Sequence, residues 1–163
     1  MKRLILTLLI ITTTLFAESV LNIEAPNFFS KNISSPKKEF IKLQDEISKA
    51  NGVVLAFFAS WCLPCKKELP FLESLKAETG VSVIAISLDD KWTEAEEKMV
   101  TDMGFKSPVL HDKYKMISKQ YKYEGKLPYS IYIDKNGVIK HTSSEYSPSL
   151  NSQIKSKVIG LGK

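Results

Sequence analysis

Apolar and polar positions alternate along this 163-residue chain in blocks that predict a succession of strands and helices. The run from Val53 to Phe58 is wholly apolar and has the length of a strand buried on both faces. The run from Val81 to Ser87 predicts a second buried strand. Between the two runs, Leu69, Leu72 and Leu75 recur at the spacing of one helix face. This order of strand, helix and strand predicts a parallel pair joined by a right-handed crossover.

The segments before and after this unit predict further helices and shorter strands. Residues 18–38 are expected to form an extended lead-in with one short strand. A helix is expected at residues 39–50, where Phe40, Leu43 and Ile47 have helical spacing. Further helices are expected at residues 92–103, at 113–122 and from Pro148 onward, with Ser147 as the N-cap of the last. Strands are expected at residues 108–110, at 129–134 and from Val138 onward, the last two joined by a hairpin turn at Asn136-Gly137. The sequence therefore predicts an α/β sandwich with a mixed central sheet.

The first 17 residues follow a different pattern from the rest. Lys2 and Arg3 precede an almost wholly apolar run from Leu4 to Phe16, and the small residue Ala17 follows it. Positive charge, apolar run and small residue in this order are typical of a secretory signal peptide. The run is shorter than the roughly 20 residues of a spanning helix, although an uncleaved N-terminal anchor remains an alternative. Either interpretation makes residues 18–163 a single periplasmic or membrane-anchored domain facing the periplasm.

Composition adds few constraints to this picture. The chain is 44% apolar and 25% charged, which is ordinary for a soluble globular protein, and its formal net charge is +5. No arginine-rich patch or nucleic-acid motif occurs, so nucleic acid is not an expected partner. We expect a monomer without a cofactor, whose chemistry depends on its two cysteines.

The two cysteines, Cys62 and Cys65, fall where the first buried strand ends and the following helix begins. Free N–H groups and the dipole at a helix start lower a thiol pKa and favour the thiolate, which is the nucleophile in disulfide exchange. A disulfide across two intervening residues closes a very small loop and would add little to the stability of the fold, so a purely structural role explains the pair poorly. The spacing therefore predicts thiol–disulfide exchange, with Cys62 as an exposed attacking sulfur and Cys65 as a more protected resolving sulfur.

Two other interpretations of the cysteine pair remain open at this stage. The pair could be half of a zinc site completed by His111 and His141, but these histidines lie 30 residues apart rather than the three to five of a zinc finger. The pair could also be inert and buried, an alternative that the small loop disfavours.

Two segments carry a resemblance to a known family. The sequence FFASWCLPCKKELP, from Phe57 to Pro70, resembles the active-site segment of the TlpA/ResA-like branch of the thioredoxin superfamily. Leu127-Pro128 and the strand and turn that follow resemble the second signature of that branch, a cis-proline strand and its hairpin. Residues 87–123 resemble its characteristic insertion. The resemblance covers nearly all of residues 18–163 and implies a thioredoxin fold, a three-layer sandwich with the TlpA/ResA-type insertion.

The resemblance also implies roles for individual residues. Pro128, preceded by Leu127, matches the cis-proline that packs beside the cysteines and helps to bind an extended substrate strand. Glu68 matches the glutamate that tunes the cysteines, and it lies one turn beyond Cys65, where proton exchange is feasible. Trp61 matches the tryptophan that shields the site and contacts partners. The alternatives are an ordinary trans proline, a solvated helix glutamate and a core tryptophan, respectively.

One position departs from thioredoxin itself. Thioredoxin carries a buried aspartate on the central strand, six residues before the first cysteine, and Ala56 occupies that position here. Because proton transfer by that route is absent, the role expected of Glu68 gains importance.

The resemblance implies a thiol–disulfide oxidoreductase that works as a reductant. Its expected partners are thiols and disulfides of exported proteins, with apocytochrome c as one candidate, and a membrane thiol carrier as electron donor. Alternatives are a periplasmic disulfide oxidase or isomerase, and a non-catalytic binding module or chaperone for apocytochrome c. A peroxidase of related fold is disfavoured, because the usual peroxidatic setting lacks a WCxxC pair.

Overall fold

The structure is a computed structural model that describes residues 20–37 and 39–163. The expected signal peptide or anchor, residues 1–17, lies outside the described residues. In chain order the elements are β1 (Phe29–Lys31), β2 (Phe40–Lys42), α1 (Leu43–Lys49), β3 (Val53–Phe58), α2 (Cys65–Thr79), β4 (Ser82–Ser87), α3 (Glu94–Asp102), β5 (Val109–His111), α4 (Met116–Gln120), β6 (Tyr129–Ile133), β7 (Ile139–Ser143) and α5 (Asn151–Gly160). None of the helices in the described residues has the length and apolarity needed to span a bilayer.

The main sheet has five strands in the order β5-β4-β3-β6-β7. Strands β3, β4 and β5 run parallel, whereas β6 is antiparallel to β3 and β7 is antiparallel to β6. All six residues of β3 are buried, as expected for a strand with neighbours on both sides and helices on both faces. The predicted mixed sheet and the predicted parallel pair are therefore confirmed. Strands β1 and β2 form a separate antiparallel ribbon.

Alternate residues of β3 supply two separate cores, one on each face of the sheet. Leu55 and Phe57 pack with side chains from α1 and α4 on one face. Ala56 and Phe58 pack on the other face with Cys62, with Cys65 and the leucines of α2, and with Ile154 and Val158 of α5. The molecule is therefore the three-layer α/β sandwich that the sequence predicts, and the cysteine pair belongs to the second core.

The predicted helix over residues 39–50 is partly wrong. Only residues from Leu43 onward are helical, and Phe40 lies in β2 opposite Lys31 of β1. Leu43 and Ile47 alone provide the buried helix face. Phe40 instead stacks on Phe29 with ring centroids 4.6 Å apart, so its helical spacing from Leu43 is coincidental.

Helix α3 begins at Glu94, two residues after the start predicted for the helix at residues 92–103, because of its N-terminal cap. The Thr93 side chain accepts a hydrogen bond from the Ala95 N–H, and the Glu96 carboxylate accepts one from the Thr93 N–H. This capping box fixes Thr93 as the N-cap and leaves Trp92 outside the helix.

We expect Gly52→Ala to reduce the free energy of unfolding by roughly 2–4 kcal/mol, because two penalties combine. Gly52 has φ +128°, and an added Cβ would lie 2.6 Å from Leu161 Cβ and 2.8 Å from the Ile133 carbonyl oxygen. Gly104→Ala is the matched control, since Gly104 has φ +70° and an added Cβ would have no heavy atom within 4 Å among the described residues other than Gly104 and its two chain neighbours. Urea unfolding should show a smaller loss for the control, and equal losses would contradict the steric argument.

Candidate redox site

The cysteine pair sits at the junction between the central strand and the first α2 turn. Strand β3 ends at Phe58 and α2 begins at Cys65. Cys62 and Cys65 form a disulfide with their Cα atoms 5.3 Å apart. The Cys65 N–H donates to Cys62 Sγ over 3.2 Å. A backbone N–H at the helix start therefore points at the first sulfur, which is the arrangement that favours negative charge there.

The prediction that Cys62 is exposed is wrong for this disulfide-bonded structure. Cys62 is 3% exposed and Cys65 is 1% exposed, because both pack in the core between β3 and α2. The residues that do reach solvent are their neighbours, with Trp61 68% and Leu63 70% exposed. The exposed surface beside the disulfide is therefore formed by these two apolar side chains rather than by sulfur. The alternative that Trp61 is a core residue is wrong.

An aspartate that sequence reasoning missed anchors the loop before Cys62. The Ser60 N–H donates to both Asp89 carboxylate oxygens at 3.1 and 3.0 Å, and the Ser60 hydroxyl donates to the same group at 2.9 Å. The Ser87 hydroxyl donates a further bond at 2.9 Å. Asp89 follows β4, whose carboxyl end adjoins that of β3. The predicted parallel pairing of these strands could therefore have indicated that Asp89 lies close to the loop after β3.

The peptide bond between Leu127 and Pro128 is cis, as the resemblance implies for this strand. Pro128 is buried, and Leu127 packs against both cores. Strand β6 begins at the next residue, Tyr129, which pairs with Phe57 near the end of β3. An open groove of about 390 Å³ lies beside Leu127. Its lining residues are Trp61, Leu88, Asp89, Asp90, Lys115, Tyr123 and Leu127.

The side chain of Glu68 lies inside the protein, one turn beyond Cys65. Glu68 is 1% exposed, so it is not a solvated helix residue. The Ser130 hydroxyl donates to Glu68 Oε1 over 2.9 Å. Burial raises the pKa of Glu68 to about 7, against the opposing effect of the Ser130 hydrogen bond. A carboxyl group with this pKa can both accept and release a proton near neutral pH.

The register of the sheet places this carboxyl group near Ala56, the position at which thioredoxin carries an aspartate. Ala56 lies directly opposite Ser130 in the β3–β6 pair, and both are fully buried. Glu68 is buried on α2, and its carboxyl group reaches the hydroxyl of Ser130. A buried carboxyl group thus reaches the strand beside Ala56 from the helix that carries Cys65.

The alternative zinc site is not assembled among the described residues. The two cysteines bond each other, and His111 Nε2 lies 2.8 Å from the Asp89 carbonyl oxygen. His141 lies edge-on to the ring of Tyr132. Within residues 20–37 and 39–163, no group of three or more His, Cys, Asp or Glu residues is arranged to hold a metal ion.

Sequence comparison with curated proteins finds relatives along most of the chain. Residues 21–142 match the AhpC/TSA family. The chain is 39% identical over 119 residues to the thiol-disulfide oxidoreductase ResA of Bacillus thuringiensis, covering 71% of this chain and 65% of the relative. It is 37% identical over 121 residues to ResA of Oceanobacillus iheyensis, covering 71% and 60%. The matched region thus spans less than two thirds of these ResA proteins.

Solved structures share the fold at lower identity. StoA of Bacillus subtilis superposes with a TM-score of 0.63 at 24% identity, covering 82% of this chain and 96% of StoA. A thiol:disulfide interchange protein of the thioredoxin family from Chlorobium tepidum superposes with a TM-score of 0.73 at 17% identity, covering 87% and 97%. The family match over residues 21–142 shows that this chain belongs to the AhpC/TSA family, and the sequence and fold comparisons show that it resembles ResA and has a thioredoxin-like fold.

Proposed function

We propose that this protein is a thiol–disulfide oxidoreductase that reduces disulfides of exported proteins. The observation that carries the proposal is the Cys62–Cys65 disulfide at the start of α2, with the buried carboxyl group of Glu68 one turn away. The ResA relatives are thiol-disulfide oxidoreductases by name, which supports the same chemistry. The direction of electron flow and the identity of the substrate are part of the proposal.

The reaction begins from the dithiol form. The Cys62 thiolate attacks one sulfur of a partner disulfide, a mixed disulfide forms, and the other partner sulfur leaves as a thiolate. Glu68 then accepts the proton of the Cys65 thiol, and the resulting thiolate attacks Cys62 Sγ. The partner's second sulfur is released, and two electrons have passed to the partner. The product is the Cys62–Cys65 disulfide, and an external dithiol must reduce it before the next cycle.

The groove beside Pro128 is the proposed binding place for the partner chain. Trp61, the residue before Cys62, and Leu127, the residue before Pro128, are apolar walls of this groove. An extended polypeptide lying along Leu127 and Pro128 would bring its own cysteine close to Cys62. In this role Trp61, Leu127 and Pro128 bind substrate, whereas Cys62, Cys65 and Glu68 carry out the exchange.

The proposed location follows from the sequence of the N-terminus. Residues 1–17 would serve as an export signal or N-terminal anchor and residues 18–163 as the thioredoxin-like domain, placing the dithiol in the periplasm or facing it. There a reductant requires electrons from a membrane thiol carrier, and apocytochrome c is a candidate substrate because its cysteines must stay reduced.

A reduction potential measured against thiol redox buffers tests the direction of the reaction. We expect a reduction potential close to that of thioredoxin, about −270 mV, rather than to that of the oxidant DsbA, about −120 mV. The reduced full chain should also transfer its electrons to insulin disulfides. A potential near that of DsbA would favour the oxidase alternative. Tight retention of a reduced polypeptide without electron transfer would favour the binding module or chaperone.

A further inference from the structure

Ser130 is the hydrogen-bond partner of the buried Glu68 carboxyl group. Its hydroxyl lies 2.9 Å from Glu68 Oε1, and Ser130 itself is fully buried. Among the described residues, no other side chain or backbone group is hydrogen-bonded to this carboxyl group. Ser130 stands on β6, two residues after the cis-proline, and reaches across to the helix that carries Cys65.

A serine hydroxyl suits a carboxyl group that must change its protonation state. It donates a hydrogen bond to the ionised carboxylate, and it can rotate to accept one from the protonated acid. A buried carboxylate without such a donor would carry the full penalty of lost hydration. An apolar residue at position 130 would therefore shift the balance toward the protonated form.

The other titratable groups near Glu68 do not replace this hydroxyl. Tyr132 of β6 and Tyr146 before α5 interact electrostatically with Glu68, and the buried Tyr132 hydroxyl has no hydrogen-bond partner within residues 20–37 and 39–163. The two cysteines at the start of α2 are joined in the disulfide, and of the lysines beside Glu68 on α2, Lys67 is exposed and Lys66 is half-buried. The basic residues of this region, Lys157 and His141, face the Tyr132 ring.

We propose that Ser130 is a positioning residue that holds Glu68 and stabilises its ionised form, so that Glu68 can take up and release the proton of Cys65. The proposal rests on the proposed function, because it assigns Ser130 a role in the same exchange reaction. It also links the strand that follows Pro128, where a partner is expected to bind, to the group that serves the resolving cysteine.

Titration of the Glu68 side chain by carboxyl-carbon NMR in the oxidised full chain tests the proposal directly. Ser130→Ala should raise the pKa of Glu68 by about one unit, a tenfold change in proton affinity, because a donor to the carboxylate is lost. Ser107→Ala is the matched control: Ser107 is a buried serine that accepts a hydrogen bond from Lys76 of the same helix, away from Glu68. The control should leave the Glu68 titration unchanged.

A second pair of variants covers the case in which Ser130→Ala does not fold. Ser130→Thr and Ser130→Val have nearly the same shape and suit a strand, but only threonine keeps the hydroxyl. The threonine variant should titrate like the wild type and the valine variant should follow the alanine variant. A Glu68 titration that is the same with and without the hydroxyl would overturn the proposal.

Exchange kinetics then separate the proposal from the function on which it rests. Insulin reduction by Ser130→Ala should show its pH profile displaced to higher pH by the same amount, and Ser130→Ala should add nothing further in a Glu68→Gln background. An unmoved Glu68 titration with wild-type insulin reduction would reject the role of Ser130 alone. If Ser130→Ala displaces the Glu68 titration but the wild-type protein exchanges no disulfide at any pH, the proposed function alone is rejected.

Discussion

Cys62→Ser is expected to abolish the reduction of protein disulfides, lowering the rate by at least about 10³-fold, because a serine hydroxyl cannot replace a thiolate as nucleophile or form a disulfide. The N–H of Cys65 points at the sulfur of Cys62, so this sulfur is the one whose negative charge the helix start stabilises. The measurement is insulin reduction by the full chain with a chemical dithiol as electron source. Wild-type turnover in this variant would remove the basis of the proposed function.

Cys65→Ser is the matched control, since it removes the same disulfide from the same core. Both cysteines are almost fully buried, so the two variants lose similar packing. Cys65→Ser should also lose turnover, but it should retain the first attack and accumulate a mixed disulfide with the substrate, visible on a non-reducing gel. Equal trapping by the two variants would show that the assigned order of attack and resolution is wrong.

The buried disulfide constrains how a partner can reach it. Cys62 is 3% exposed, whereas Trp61 and Leu63 on either side of it are largely exposed, so we expect a partner that reacts with Cys62 to contact these two side chains. An extended peptide can enter between them, whereas a folded surface is held off by two protruding side chains. Under the proposed function, we therefore expect substrates whose cysteines lie in unfolded or flexible segments.

The main features of the fold could be predicted because they depend on strong local patterns. The strand Val53–Phe58 is wholly apolar, and the helix after it ends at Gly80, whose φ of +69° suits glycine. Phe40 shows the limit of such patterns. Three apolar residues at helical spacing predicted one helix, but the ribbon pairing of Phe40 with Lys31 depends on a contact that spacing alone does not specify.

The site was predicted in part for the same reason. Cys62, Cys65 and Glu68 lie within one short segment, so their grouping follows from helix geometry. Ser130 is 62 residues from Glu68, and Asp89 is 29 residues from Ser60. Both contacts depend on which strands are neighbours and in what register. The burial of Cys62 likewise depends on tertiary packing, and a helix start in isolation suggested an exposed sulfur.

The burial of Glu68 predicts that this residue weakens the fold at the pH at which it works. Its pKa is about 7 in the folded protein against an ordinary value of 4.5, so the folded state keeps the proton longer than the unfolded chain does. The contribution is therefore favourable below pH 4.5 and is lost as the pH rises from 4.5 through about 7. Because a buried glutamate of this kind destabilises the folded protein above neutral pH, stability does not explain its presence, and a role in the exchange reaction would.

Glu68→Gln should therefore increase the free energy of unfolding at pH 8 by about 3 kcal/mol at most, since glutamine keeps the shape and an acceptor for Ser130 but carries no charge. The gain should shrink toward zero as the pH falls to 4.5. Urea unfolding of the oxidised full chain at a series of pH values measures it, with Glu97→Gln, at an exposed position on α3, as the control for lost charge. If the glutamine variant is more stable at pH 8 and slower in exchange, the carboxyl group serves the chemistry at the expense of the fold. If it is less stable at pH 8, Glu68 is a structural residue and its proposed part in proton transfer fails.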